Sequence, residues 1–162
     1  MTEDEEGNFW FVSLSTGVYF FQPTLNSIRL LTHKEDNIFV SRPTGIAADT
    51  KHHTIWISDY GFGVFKYDLR RKKFFFYGTD TSNPKSMRST LVTDVAVDKN
   101  GHAWFTTTSG GVSKYSTACD CFTTYTMDNG VPENSLHTIF TDVSGNVWLT
   151  SEKGLTRMDT LG

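Results

Sequence analysis

No stretch of these 162 residues approaches the roughly 20 consecutive apolar residues that a helix needs to cross a bilayer. Met1 is followed by Glu3, Asp4, Glu5 and Glu6, not by the basic and then apolar run of an export signal. A signal, if the protein is exported, is therefore expected outside this sequence. Long Ala- and Leu-rich segments with a 3.6-residue period are missing too, which removes the helical bundles. Basic residues are not in excess: 15 Lys and Arg face 18 Asp and Glu, for a formal charge of -3. That balance offers no footprint for nucleic acid or an anionic membrane. The short acidic run at the start reads as a solvated end.

Cysteine is scarce. Only Cys119 and Cys121 are present, and no second Cys or His pair stands at a spacing that would complete a zinc site. Two residues apart on a strand they point to one face, and a bridge between them needs a tight ring, so paired free thiols are the expectation. Catalytic signatures are also lacking: there is no Gly-x-Ser-x-Gly elbow and no His-Glu-x-x-His motif. Nothing in the chain asks for a metal or a cofactor.

What the chain does have is aromatic residues, 14% of it, as 13 Phe, 6 Tyr and 4 Trp. This is the composition of strands. Trp10, Trp56, Trp104 and Trp148 recur at intervals of 46, 48 and 44 residues. A period of about 40 to 50 with several short strands per unit belongs to propeller blades. Three units carry Asp-x-x-Gly-x-x-Trp before the Trp: Asp4, Gly7 and Trp10; Asp98, Gly101 and Trp104; Asp142, Gly145 and Trp148. Such a turn is closed by an Asp that accepts backbone N–H bonds and a Gly that takes a positive φ. The second unit departs, running from Asp49 through His52 and His53 to Trp56 with one extra residue and no Gly, so a longer turn with a histidine exposed at its tip is expected there.

After each Trp come a polar stretch, a Gly and an apolar residue: Gly17 with Val18, Gly63 with Val64, Gly111 with Val112, and Gly154 with Leu155. Three of the strands so opened alternate apolar and polar residues and place Lys66, Lys114 and Arg157 on the wetter face. The last of them is expected to run to Asp159. The Trp strand is apolar on both sides, as in Ile55-Trp56-Ile57 and Ala103-Trp104-Phe105, so both its faces must be covered. Stacked blades do that. Upstream, Ile46, Val95 and Ile139 precede the turn Asp by three residues, and Pro43, Val92 and Leu136 come three earlier still. Too little chain separates the turns for a helix, so these mark inner strands.

The reading is an all-β chain of four-stranded antiparallel β-propeller blades, about three and a half of them, in a single partial propeller with repeat units near 1–42, 43–90, 91–135 and 136–162. The first unit is expected to start at its second strand, Trp10, and the fourth to lack its outermost strand. Propellers close with about four to eight blades. Self-association, or the remainder of a larger propeller, is expected to cover the open faces.

The third unit, with Val95, Asp98, Gly101, Trp104, Gly110, Gly111, Val112, Lys114, Tyr115, Phe122 and Tyr125, resembles the two-component regulator propeller repeat, and the resemblance runs through nearly the whole chain. It departs from the pattern at the Gly-less turn before Trp56, at Phe20-Phe21 and at Met158. The resemblance implies a periplasmic sensor domain of a membrane-bound hybrid histidine kinase, often seven-bladed and in many cases similar to regulators of polysaccharide use. It implies binding of an oligosaccharide or similar small molecule, with no catalysis by this segment and any phosphotransfer elsewhere in the parent chain. Should the segment not come from such a receptor, a cytoplasmic location is the alternative.

In a blade, the turns between its second and third strands and the links to the next blade emerge on one face, around the mouth of the channel. The candidate ligand-binding residues there are Tyr60 and Phe62 in the widened turn, Ser109, Glu152 and Lys153 in the equivalent turns, and Arg42, Arg88, Asn134 and His137 near the links. Aromatic, amide and charged groups around a concave mouth stack on sugar rings and bond their hydroxyls. Each has a plainer reading: blade-edge cover for Tyr60 and Phe62, solvated charge for Arg42, Glu152 and Lys153, local backbone bonding for Asn134. Two other functions stay open. One is a lyase-type propeller enzyme built on a pair such as His137 with Glu152, and the other is a protein-binding or dimerisation scaffold.

Overall fold

The computed structural model describes residues 1–158. Four antiparallel sheets follow one another along the chain. The first is β1 (Thr2–Glu3), β2 (Phe9–Ser13), β3 (Gly17–Gln22) and β4 (Ser27–Leu30). A link with one helical turn, α1 (His33–Asp36), leads to the second: β5 (Pro43–Asp49), β6 (Thr54–Asp59), β7 (Gly63–Asp68) and β8 (Lys73–Tyr77). The third is β9 (Val92–Val97), β10 (Ala103–Thr107), β11 (Val112–Ser116) and β12 (Cys121–Tyr125), and the last is β13 (Ile139–Thr141), β14 (Val147–Ser151) and β15 (Gly154–Met158). Every strand pairs with its sequence neighbour. These are β-propeller blades. The expected Asp159 at the end of β15 lies outside the described residues.

The inner strands stand side by side. Thr44 donates its hydroxyl to the carbonyl of Val92 at 3.0 Å, Thr93 to that of Leu136 at 2.9 Å, and Thr141 to that of Val97 at 3.1 Å. Between sheets, the Trp of one blade meets the third strand of the next. Trp10 packs on Tyr67 at 5.1 Å between ring centroids, and Trp56 on Tyr115 at 4.7 Å. At the third interface the partner is Met158, which shares a buried cluster with Trp104 and explains why the missing tyrosine is tolerated. In the second, third and fourth sheets the residues flanking the Trp point the other way, toward the preceding sheet, as Ile55 and Ile57 do in the cluster that holds Trp10. Truncating a fully buried ring such as Trp56 removes a contact layer worth about 3–5 kcal/mol.

Four expectations need correction. The first sheet does have an inner strand, β1, two residues long, paired to β2 through Thr2 with Trp10 and Glu3 with Phe9. Its brevity hid it, because two residues carry no alternation. Lys66 and Lys114 do not sit on a wet face. They are the cross-strand partners of Trp56 and Trp104 and lay their ammonium groups over those rings, at 5.7 and 4.9 Å from the centroid. Arg157 is likewise paired with Trp148, and in the first sheet Phe20 takes this place, its ring tilted against Trp10 at 4.6 Å between centroids. The ammonium is held against the indole face, and for Lys66 burial pulls the pKa below the ordinary lysine value.

The longer second turn does not present a free histidine either. His52 Nδ1 is 2.7 Å from Asp49 Oδ2, and His53, at a φ of 55°, pairs with Glu5 of the first sheet. Finally, Cys119 and Cys121 form a disulfide, with their Cα atoms 5.2 Å apart. Both on one strand would have left thiols side by side. Instead Cys119 lies in the β11–β12 turn, and Asp120, at a φ of 51°, curls the chain so that the sulfurs meet.

Candidate functional site

The predicted rim is built by an alternation of turns and links that hydrogen-bond to one another. Tyr60 N–H donates to the carbonyl of Arg42, and Gly61 N–H to that of Thr90. Thr108 N–H donates to the carbonyl of Leu91, Gly111 N–H to that of Asn134, and His137 N–H to that of Thr150. All the candidate loops therefore share one end of the molecule. The turns that carry Asp4, His52, His53 and His102 lie at the opposite ends of the same strands.

At one end of this rim the sequence brings an aromatic and cationic group together. The organising residue is Asp59, a buried carboxylate. Its Oδ2 accepts from the backbone N–H of Ser41 at 2.8 Å and of Arg42 at 2.7 Å, and its Oδ1 accepts from that of Phe62 at 3.1 Å. One side chain thus fastens the link to the turn. Gly63, at a φ of 111°, lets the turn pass so close to β8 that a Cβ would stand 2.5 Å from the carbonyl oxygen of Tyr77. With the backbone fixed in this way, Arg42 donates Nη2 and Nε to the carbonyl of Tyr60 at 2.9 and 3.2 Å and lies over its ring at 4.6 Å. Such a pair is worth about 0.5–1 kcal/mol where exposed.

Phe62 is 46% exposed beside this pair and forms the shared wall of two adjoining cavities. The larger, about 400 Å³, is lined also by Phe39, Phe65, Phe74, Phe75 and Phe76. The smaller, about 280 Å³, is bounded by His33, Ile38, Phe39 and Ser41. Phe39 is 56% exposed, with the His33 ring 3.6 Å away. Neither Phe39 nor His33 was among the candidates. The available signal was the apolar run Ile38-Phe39-Val40 in a long link, which matches no position of the repeat.

The remaining candidates have separate fates along the rim. Ser109 faces Ser89, their hydroxyls 3.3 Å apart. Asn134 is engaged by local backbone, its Oδ1 accepting from Met127 N–H at 2.9 Å. Lys153 donates to the carbonyl of Pro132 at 3.1 Å and lies 3.7 Å from Glu133. Bonds from Ser151 and from the Lys153 backbone hold the Glu133 carboxyl below the usual carboxylate range. His137 Nε2 is 3.2 Å from Glu152 Oε1, with the two side chains 47% and 83% exposed. Arg88 borders a third cavity of about 260 Å³ beside Asp80 and Asn83, apart from Tyr60 and Phe62. No group of three or more metal-ligating side chains occurs among the described residues.

No family model matches the chain, and no curated protein matches it. Solved structures do. The extracellular domain assigned to the hybrid two-component system BT4673 of B. thetaiotaomicron superposes with a TM-score of 0.77 at 17% identity, covering 98% of this chain and 22% of that one. The corresponding domain of BT3049 from the same organism gives 0.71 at 17% identity over 99% and 28%. Virginiamycin B lyase from Staphylococcus aureus gives 0.64 at 13% identity over 99% and 54%. The chain thus spans about a quarter of the two extracellular domains and about half of the lyase. At these identities the likeness is one of fold, and the fold hosts sensors and enzymes alike.

Proposed function

We propose that this chain is a ligand-sensing segment of a two-component signalling receptor, exposed to the periplasm, and that it recognises an oligosaccharide or a similar small molecule at the rim around Arg42, Tyr60 and Phe62. The observation that carries the reading is the aromatic ledge itself: a tyrosine held under a guanidinium, next to an exposed phenylalanine, over a concave apolar cavity. Rigid aromatic faces suit the apolar side of a sugar ring, and the Arg42 guanidinium is a multiple donor for its hydroxyls. Likeness to the two extracellular sensor domains supports the signalling context. So does the disulfide, since such bonds persist in oxidising compartments. Among the described residues no helix is long and apolar enough to cross a membrane, so signal transmission falls to other parts of the receptor.

The test is a glycan microarray probed with the labelled protein, followed by thermal denaturation with each hit. A short oligosaccharide that binds and raises the melting temperature supports the reading; an array without hits, on protein of native circular dichroism, contradicts it.

One observation favours a second reading. His137 and Glu152 are within hydrogen-bond reach, as an acid–base pair for elimination would need. Both are open to water, however, among the described residues. Incubation with a streptogramin B antibiotic, followed by mass spectrometry, decides: substrate left intact removes the lyase reading.

A further inference from the structure

One set of polar groups lies away from the rim and takes no part in it. At the tip of the β11–β12 hairpin, Asp120 Oδ1 accepts from the hydroxyl of Tyr115 at 2.5 Å and from that of Tyr77 at 2.6 Å. Lys66 Nζ donates to the Tyr115 oxygen at 2.9 Å. Tyr77 and Lys66 belong to β8 and β7 of the second sheet, whereas Tyr115 and Asp120 belong to the third. The carboxylate therefore joins two blades at their outer seam. The rings it bonds are structural parts of that seam: Tyr115 packs on Trp56 at 4.7 Å and Tyr77 on Phe122 at 5.6 Å.

Around this one residue the chain closes its only disulfide. Cys119 and Cys121 flank Asp120, so the ring contains a single intervening residue. A loop this short removes little entropy from the unfolded chain, and it links no two distant elements. As a staple for the fold it is poorly placed. What it encloses is Asp120, whose φ of 51° is close to the 47° of Asn26 and the 52° of Lys72 at the matching turns of the first two sheets; the bridge restrains the turn beside the carboxylate's bonds to the two tyrosines. Cys119 is exposed and Cys121 partly so, which leaves the sulfurs open to attack.

We propose that the Cys119–Cys121 disulfide is a redox-operated clamp. Oxidised, it holds Asp120 on the hydroxyls of Tyr77 and Tyr115 and closes the seam between the second and third blades. Reduced, it frees Asp120 and loosens that seam. The reductant is a dithiol. One of its thiolates attacks a sulfur of the bridge, breaking the S–S bond and forming a mixed disulfide. The second thiol of the reductant then displaces the protein sulfur. Two electrons and two protons have passed to Cys119 and Cys121, and the reductant leaves as a disulfide. The loosened seam has a path to the rim. Phe122 N–H donates to the carbonyl of Lys85 at 2.8 Å, and the link that holds Lys85 continues through Arg88 to Thr90, which bonds the Tyr60 turn.

The experiment is hydrogen–deuterium exchange on the full chain, air-oxidised and after dithiothreitol, with free thiols counted by Ellman's reagent. Oxidised protein gives no thiols and reduced protein gives both. On reduction, exchange rises at least about fivefold in peptides over β8 and the β11–β12 hairpin, returns on reoxidation, and stays constant over β2 and β3. Asp120→Asn keeps the disulfide, exchanges fast at the seam already and no longer responds to dithiothreitol. Equal exchange in the two redox states overturns the clamp. So does a full response in Asp120→Asn, or two free thiols in the oxidised protein. A Cys119→Ser, Cys121→Ser double variant should match the reduced state. Should it fail to fold, the wild-type comparison decides alone.

Discussion

The aspartate that opens each hairpin turn does more than close it. Asp98 Oδ1 accepts from the backbone N–H of Asn100 and His102, at 2.8 and 3.0 Å, while Oδ2 accepts from Trp104 Nε1 at 2.9 Å and lies 3.0 Å from His102 Nδ1. Asp142 repeats this with Ser144, Asn146 and Trp148, and Asp4 with Glu6, Asn8 and Trp10. The turn bonds were legible in the spacing. The bond to the indole was not, because a motif gives order along the chain and not the direction of a side chain six residues on. Asp98→Asn, which keeps the shape but loses the charge, should cost about 2 kcal/mol in urea denaturation.

The same groups set the pH response. Burial would raise the Asp98 carboxyl, but bonds from Trp104 and His102 outweigh it and hold it below the usual range; bonds from Asn146 and Trp148 do the same for Asp142. A carboxylate so depressed adds stability that is present above the unfolded value near 4 and lost as pH falls through the folded one. The tyrosines work in the opposite sense. Burial and the bond to Asp120 push Tyr77 up to about 12, so its contribution is complete below about pH 10 and disappears between there and 12. Denaturant midpoints should therefore fall at both extremes. In Asp120→Asn the alkaline loss should be smaller, and an unchanged alkaline slope would refute the assignment to this cluster.

At the scale of elements, strand positions were largely readable: β2, β6, β10 and β14 each run through the Trp of their repeat, and β3, β7, β11 and β15 each open at or directly after the Gly that follows it. Aromatic alternation between turn signals is a strong local pattern. The turns that follow the Trp strand also differ in a way that can be measured. At Gly111, φ is 74° and a Cβ would stand 2.1 Å from the carbonyl oxygen of Tyr125; at Gly154, φ is 109° and no described residue lies within 4 Å of that position. Alanine at Gly154 should cost roughly 1–3 kcal/mol of backbone strain. Alanine at Gly111 should cost clearly more, since the backbone of β12 must move. Equal losses in thermal denaturation would show that the close approach is not limiting. What sequence could not supply was the link between the first two blades. Phe39 and His33 match no position shared by the repeats, and the bonds of Asp59 to Ser41 and Arg42 fasten their segment beside the turn that holds Phe62.

For the whole molecule, the repeating rule of the interfaces leaves two faces without partners among the described residues. Trp148 stacks on Phe140 at 6.2 Å but meets no following blade, and Phe11 and Tyr19, stacked at 5.1 Å, meet no preceding one. We propose that these faces pack on further blades, from the same polypeptide or from a second copy. For the chain alone, sedimentation should show self-association, and Phe11→Glu should return it to a monomer. A wild-type monomer at high concentration would contradict pairing between copies. The functional account rests on the rim, and calorimetric titration with an oligosaccharide hit from the array tests it most directly. Tyr60→Ala and Phe62→Ala should each weaken binding about tenfold or more, or about 1.4 kcal/mol, while Lys99→Ala, at the opposite end of the strands, should leave it unchanged. Equal affinity in all three variants would contradict the account.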